Sequence, residues 1–234
     1  MASGHTHTLK AFDEELDQLR ALVSQMGGLA EHAIREAMRC LMKRDCDGAR
    51  LAVEDDKKID ALEAEAERRI VQLIALRAPM ADDLREAVAA LKIVGVVERI
   101  GDYAKNIAKR VPEIGISANI EPISLLPEMA RMVAEMVHDV LDAFVRRDAS
   151  RAQDVCDRDV SVDNFYDSIF RALLTFMMED PAKITEATHL LFVAKNLERI
   201  GDHATNIAEM VFYAATGERL AERPRGGADA AGAK

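Results

Sequence analysis

The chemistry most strongly suggested by this 234-residue sequence comes from pairs of carboxylates that recur in it. Each pair has the form acid-x-x-x-acid, and residues four apart lie on one face of an α-helix, about 6 Å apart along its axis. Like charges at that spacing destabilise a helix by a few tenths of a kcal/mol, so each pair calls for a nearby cation. The pairs are Asp56 and Asp60, Glu98 and Asp102, Asp159 and Asp163, and Glu198 and Asp202.

Such acids suggest a metal site with oxygen ligands. Clustered carboxylates, with Asn106 and Asn206 in the same motifs, suit hard or borderline ions such as Mg, Mn, Fe or Ca. The chain has three cysteines and no CxxC motif, which argues against both a thiolate zinc site and a disulfide framework. We therefore expect metal bound by carboxylates, with the identity of the ion left open.

Two other interpretations of the acids stay open. Lys or Arg from a neighbouring helix or a partner protein would neutralise them without metal, which would make the protein a helical interaction scaffold. The motifs Glu135-x-x-His138 and Glu186-x-x-His189 also have the Glu-x-x-His form of ferritin-like di-iron enzymes. These two motifs occupy non-equivalent positions, and their counterparts in the first half of the chain do not have the Glu-x-x-His form, since Glu86 is followed at i+3 by Ala89 and His32 stands at the position of Glu135, which disfavours the enzyme.

The elements that must position the acids are helices. Apolar residues recur at i+3 and i+4 spacing in long stretches separated by Gly, Pro and Asp turns, and no segment has the alternation of a strand. Short turns between long helices favour antiparallel packing, which predicts an all-α bundle protein. The six predicted helices cover about 12–43, 49–76, 82–111, 125–147, 150–178 and 182–216.

The sequence is internally duplicated. Residues 97–108 match 197–208 at nine of twelve positions, with a constant offset of 100. Earlier in each half the offset is 103, so Asp56 and Asp60 correspond to Asp159 and Asp163. A repeat of this length predicts two copies of one three-helix bundle, related by an approximate two-fold axis. We expect a first bundle over 7–112, a linker over 113–123, a second bundle over 124–216 and a disordered tail over 217–234.

Composition excludes several functional classes. The chain carries 41 acidic and 31 basic residues, and a net charge of −10 argues against a nucleic-acid-binding protein. No apolar run approaches the roughly 18–20 residues of a membrane-spanning helix, so we expect no membrane insertion. The N-terminal residues lack the apolar region of a secretory signal, which with the unpaired cysteines predicts a cytoplasmic protein.

The duplicated motif ERIGDxAxNIA resembles the PhoU family of accessory regulators of phosphate-specific transport. Met26-Gly27-Gly28 in the first helix and Phe176–Asp180 before the sixth also match that family. The resemblance covers about residues 7–215. It departs from the family pattern only modestly, because Tyr103 faces His203 in the repeat and the tail has no recognisable family pattern.

This resemblance implies a non-catalytic, cytoplasmic and dimeric regulator that restrains phosphate uptake and keeps the phosphate-starvation response off. The implied partners are the ATPase subunit of the phosphate transporter, a phosphate-sensing histidine kinase and a second copy of the chain. Some family members hold multinuclear metal clusters on Glu/Asp-x-x-x-Asp motifs, and all four acid pairs match those motifs. The resemblance thus implies Fe, Zn, Mg or Mn at these eight residues.

Overall fold

A computed structural model describes residues 3–114 and 120–220, with side chains at position 12 and from position 14 onward. Two short 3-10 helices, Glu121–Leu125 and Pro181–Lys183, precede α5 and α7. No strand occurs within the described ranges, and the predicted all-α fold is confirmed. The α-helices are α1 (Ser3–Lys43), α2 (Cys46–Asp55), α3 (Lys57–Arg77), α4 (Ala81–Ala108), α5 (Leu126–Arg146), α6 (Ala149–Glu179) and α7 (Ile184–Thr216).

Several predicted boundaries need correction. The first helix begins at Ser3, and the second is interrupted at Asp56, although that residue keeps right-handed helical dihedral angles (φ −54°, ψ −33°). The third helix ends at Ala108 and continues as turns. In the predicted linker Ile120 is buried, whereas 115–119 lie outside the described residues. Leu220, in the predicted tail, packs against the core, and 221–234 are not described.

The repeat is visible in the turns that follow α1 and α5. Arg44 and Arg147 both adopt left-handed backbone conformations with φ of 55°. Directly after them, the side chain of Asp45 accepts a hydrogen bond from the backbone of Gly48, and that of Asp148 accepts one from Arg151. An Asp at the N-cap satisfies a backbone N–H that has no partner within its helix. These matching turns fix the offset of 103 between the first two helical segments of each half.

Four helices form the centre of the molecule. α1 packs against α4 and α5, and α7 packs against the same two helices, so α1, α4, α7 and α5 close a ring that joins both halves. α3 packs outside on α1 and α4, and α6 packs outside on α5 and α7. The two predicted three-helix units are therefore present, and one continuous apolar core runs through both.

Equivalent residues of the repeat meet where α4 crosses α7. The rings of Tyr103 and His203 stack with their centroids 5.3 Å apart and their planes 19° from parallel. These positions differ by the repeat offset of 100, so the approximate two-fold axis passes between the two rings. Burial, together with the positive charges of Arg99 and Arg199, lowers the pKa of His203, which favours the neutral, stacked imidazole.

A buried ion cluster ties the halves together near the start of α4. Only 5% of the Glu86 side chain is exposed. It accepts hydrogen bonds from Arg20 of α1 (Nε–Oε1, 2.8 Å) and forms an ion pair with Arg147, the residue after α5. Its repeat equivalent, Glu186, is 23% exposed and lies 3.7 Å from Lys183 within its own half. Only the first of these equivalent glutamates links the two units.

We expect Glu86→Gln to lower the free energy of unfolding by about 3 kcal/mol, because it leaves Arg20 and Arg147 without their shared anion. Glu186→Gln is the matched control and should cost less than about 1 kcal/mol, since a surface ion pair contributes little. Urea denaturation followed by circular dichroism measures both. Equal losses would show that Glu86 does not hold the units together.

Candidate metal centre

The second half gathers three of the predicted acids into one compact group. One carboxylate oxygen each from Asp163, Glu198 and Asp202 lies within 4.8 Å of the others, and it is the only such group of His, Cys or acidic ligands among the described residues. Asp163 comes from α6, and the other two come from consecutive turns of α7. Because α6 packs along α7, the i, i+4 spacing on each helix aims the acids into the same gap.

The charges of this second-half cluster are poorly compensated. Burial, followed by the negative charges of Glu198, Asp159 and Asp163, raises the pKa of Asp202 to about 6, although part of this residue remains open to solvent. Burial and the charge of Asp159 likewise raise the pKa of Asp163. Oε2 of Glu198 is buried and accepts no hydrogen bond. The arrangement therefore holds negative charge in excess of its protein partners.

One lysine reaches the edge of this cluster. Lys195, one turn before Glu198 on α7, donates a hydrogen bond to Oε1 of Glu198 at 2.5 Å. Its ammonium nitrogen also lies 5.3 Å from the centre of the Tyr166 ring, and 40% of its side chain is exposed. Lys195 thus compensates one carboxylate from the rim and leaves the other Glu198 oxygen unpaired.

In the first half, a lysine compensates two of the clustered carboxylates. Lys105 donates from Nζ to Oδ2 of Asp56 at 2.5 Å and also to Asp102, so one ammonium bridges α4 and the start of α3. Asp56 is only 6% exposed. The position equivalent to Lys105 is Thr205, whose hydroxyl is buried without a hydrogen-bond partner. A lysine side chain therefore stands between the two acids that the repeat predicts as metal ligands.

The remaining first-half acids lie next to this bridge. Burial, then the charges of Asp102 and Glu63, raises the pKa of Glu98 to about 7. Glu63 of α3 has a raised pKa because of burial and the charges of Glu67 and Asp60. Asp60 itself is exposed, so it contributes at the rim. Glu63 belongs to this first-half cluster as much as the predicted residues do.

A glycine lets each pair of acid-bearing helices approach closely. A Cβ atom on Gly101 would lie 2.8 Å from Cδ1 of Ile59 and 3.3 Å from Oδ1 of Asp56. At Gly201 the nearest atoms would be Cγ1 of Val162 at 3.3 Å, Cγ1 of Val133 at 3.7 Å and Oδ1 of Asp159 at 3.8 Å. Glycine inside a helix costs about 1 kcal/mol relative to alanine, and the close approach of the neighbouring helices accounts for it here.

All eight predicted residues thus lie beside the seams expected of them, but the residues that distinguish the halves were not predicted. Lys105 and Lys195 lie on the same motif helices, and each faces a neutral residue in the other half, Thr205 and Gly95. This mismatch within a closely similar repeat was a signal available in the sequence. It separates a first-half cluster bridged by lysine from a second-half cluster with a bare carboxylate oxygen.

The ferritin-like interpretation finds no support in the contacts of its residues. His138 contacts Glu31 of α1 at 3.1 Å, and His189 contacts Arg110 at 3.2 Å. Glu135 pairs with Arg131 on its own helix. The two Glu-x-x-His motifs do not contribute to a shared group of metal ligands within the described part of the chain.

The second-half cluster fits a metal ion better than the first. Carboxylate oxygens suit Mg, Mn and related ions, and one oxygen from each of the three acids lies within 4.8 Å of the other two. The unpaired Oε2 of Glu198 is a buried acceptor that a cation would satisfy. In the first-half cluster the ammonium of Lys105 already lies between Asp56 and Asp102.

Comparison with known proteins identifies relatives over nearly the whole chain. The PhoU domain family model matches twice, at residues 23–111 and 126–211. A phosphate-specific transport system accessory protein PhoU homolog of Zymomonas mobilis is 55% identical over 225 residues, covering 96% of this chain and 95% of that protein. The corresponding homolog of Caulobacter vibrioides is 50% identical, covering 94% of this chain and 96% of that protein.

Solved structures agree with these relatives. The crystal structure of PhoU from Pseudomonas aeruginosa has a TM-score of 0.84 and 36% identity, covering 88% of this chain and all of that one. The phosphate transport system regulatory protein PhoU from Streptococcus pneumoniae also has a TM-score of 0.84, with 28% identity, covering 90% of this chain and all of that one.

The raised pKa of Asp202 predicts an unusual pH dependence for chelator-treated protein. Its folded-state pKa of about 6 exceeds the value near 4 of an unfolded chain, so the folded protein binds the proton more tightly. This contribution to stability is full below about pH 4 and is lost as the pH rises through 6. At pH 8, Asp202→Asn should therefore raise the melting temperature by about 2–4 °C, allowing for solvent screening, and by less at pH 5.

Asp102→Asn is the matched control, because Asp102 is bridged by Lys105. It should lower the melting temperature at pH 8, which is the opposite sign. Differential scanning calorimetry across pH 5–8 measures both variants. Parallel curves for Asp202→Asn and the parent protein would contradict a raised pKa at that position.

Proposed function

This chain belongs to the PhoU family, and we propose that it is an accessory regulator that restrains phosphate uptake and phosphate-starvation signalling. The proposal is supported most by the coverage of the relatives, since proteins named as phosphate-specific transport system accessory proteins match over nearly their whole length. No domain-sized part of those relatives is left unmatched that would carry a different activity.

The proposed role is non-catalytic. The regulator contacts the ATPase subunit of the phosphate transporter and a phosphate-sensing histidine kinase in the cytoplasm, and it does so as a homodimer. Within residues 3–114 and 120–220, none of the helices combines the length and the apolar content that a membrane span requires. Long exposed helix faces joined through one continuous core are suited to presenting surfaces to partners rather than to enclosing a substrate.

The second-half cluster is the metal site of this proposal. Asp163, Glu198 and Asp202 would hold a divalent or trivalent ion, with Asp159 beside them, and the ion would clamp α6 to α7. Its positive charge would replace the protons that the raised pKa values otherwise retain. In the first half, Lys105 performs this clamping between α3 and α4, so Glu98, Asp102, Asp56 and Asp60 are the weaker candidates.

Exchanging the differing residues of the two halves tests this assignment. Thr205→Lys places an ammonium inside the second-half cluster and should weaken metal binding at least about tenfold. The reason is that an ammonium about 4 Å from the metal ion would repel it by several kcal/mol. Lys105→Thr should leave that site intact and open the first-half cluster to metal. Elemental analysis after dialysis, with the metal-induced rise in melting temperature, measures both. Unchanged binding in Thr205→Lys would contradict the assignment.

The regulatory role is tested in cells that lack the chromosomal copy. We expect its loss to switch on a phosphate-starvation promoter in high phosphate, and the parent chain to restore repression. The triple variant Asp163→Asn, Glu198→Gln and Asp202→Asn should fail to restore it, whereas Glu209→Gln, on an exposed part of α7, should restore it fully. A promoter fused to a fluorescent protein reports the result, and full repression without the chain would refute the role.

The metal-independent scaffold remains the alternative, because Lys195 and Lys105 show that lysine can neutralise these acids. Capture of the purified ATPase subunit separates the two. Binding that survives chelation but is lost in the triple variant favours the scaffold, and binding that chelation abolishes favours metal.

A further inference from the structure

A groove of about 860 Å³ lies between α1 and α2 in the first half, away from the second-half cluster. Its apolar lining includes Leu29 and Ala33 of α1 and Leu51 and Ala52 of α2. Leu51, which lines the groove, is 57% exposed. The groove therefore has apolar surface that no other side chain among the described residues covers.

Acidic residues surround this apolar surface. Apart from Asp56, which Lys105 holds, the lining has four carboxylates and two cations, Arg39 and Lys58. The acids are Glu36, Asp45, Asp47 and Asp55. Glu36 and Asp45 share Arg39, and Asp55 contacts Lys58 one turn away at 2.7 Å. Asp47 lies 3.5 Å from Arg50, which is outside the lining, so three cations face four carboxylates and the groove keeps a small excess of negative charge.

In the second half, the equivalent crossing lies between α5 and α6, and side chains fill it. Two arginines of α6 lie between α5 and α6: Arg151 donates to Asp139 (Nη2–Oδ1, 2.8 Å) and to Asp142, and Arg158 donates to the other oxygen of Asp139 at 2.5 Å. The offset of 103 makes Glu36 the equivalent of Asp139, so the acceptor acid is present in both halves.

Neither arginine has a counterpart in the first half. The position of Arg151 is taken by Gly48, and that of Arg158 by Asp55, which reverses the charge. Two apolar residues are smaller as well: Ala33 stands where the second half has the buried Met136, and Ala52 where it has the buried Val155. Arg39, which stands where the second half has Asp142, supplies one guanidinium group to Glu36. The first half therefore has one guanidinium group where the second has two, and less side-chain volume, which leaves the groove open.

We propose that this groove receives an arginine-bearing helical segment of a partner protein, whose guanidinium groups take the places that Arg151 and Arg158 fill in the second half. Guanidinium groups pair with carboxylates in bidentate geometry, and their alkyl stems suit the apolar floor. The two arginines are seven residues apart, which places them on one face two helical turns apart. This inference extends the proposed function by naming the chemistry of the partner surface.

The experiment uses the full chain and a blocked helical peptide with two arginines seven positions apart and leucines on the same face. An otherwise identical peptide carries neutral citrulline at both positions. Asp55→Arg should close the groove as Arg158 does and weaken binding of the arginine peptide at least about tenfold, measured by fluorescence anisotropy. Glu54→Arg, the same charge change on an adjacent exposed residue outside the groove, should change binding by less than about twofold.

Ala33→Met provides a second variant that fills the groove without changing charge, and it should also weaken the peptide, so that loss of folding in one variant does not decide the test. Three results would overturn the proposal: no binding of the peptide, equal binding of the citrulline peptide, or equal weakening by Asp55→Arg and Glu54→Arg. Self-association of the parent chain that Asp55→Arg abolishes would overturn it in favour of a second copy as occupant. The peptide assay contains no transporter, so its result can be interpreted even if the cellular test contradicts the proposed regulatory role.

Discussion

Carboxylates packed into the gap between two helices must be neutralised, and this need explains more of the structure than any other single interaction. The acids lie beside the α3–α4 and α6–α7 seams because the apolar stripe and the i, i+4 spacing place them there, and Gly101 and Gly201 allow the backbones to approach. Once these carboxylates are half-buried, the chain must supply a cation, retain protons or bind an ion. The first-half cluster uses Lys105 and has a raised pKa at Glu98. The second uses Lys195 at its rim, has a raised pKa at Asp202 and leaves Oε2 of Glu198 without a hydrogen bond.

Duplication supplied both halves with the same problem and allowed each to diverge in its solution. The framework stayed alike, as the matched turns at Asp45 and Asp148 and the stacking of Tyr103 on His203 show. The charged residues between the packed helices differ between the two halves. At the acid clusters, Lys105 lies between two acids of the first half, whereas Lys195 reaches only the rim of the second-half cluster. At the α1–α2 crossing of the first half, Arg39 and Lys58 face four carboxylates, whereas Arg151 and Arg158 fill the equivalent crossing of the second half. Each half thus keeps one acidic surface without enough internal cations.

Much of the fold was predictable, because helical periodicity and a constant repeat offset can both be seen in the sequence itself. The all-α fold, the three-helix units and the faces carrying Glu98 and Glu198 follow from spacing alone. What spacing could not predict were contacts between residues far apart in the chain: Lys105 reaching Asp56, or Arg147 of one half reaching Glu86 of the other. These contacts depend on how the helices pack in three dimensions. The periodicity of a helix shows which face is buried, but not which distant residue a side chain on that face will contact.

The break at Asp56 shows why the two halves need not behave alike. Its carboxylate belongs to the first-half acid cluster through Lys105, and the same residue lines the α1–α2 groove. Its equivalent, Asp159, lies within the uninterrupted helix α6, beside a crossing already filled by arginines. In the first half, the acid cluster and the open groove therefore share one nearly buried side chain. In the second half, α6 continues through the equivalent position, and arginines rather than an open groove lie beside it, so a change at one crossing need not reach the acid cluster in the same way in the two halves.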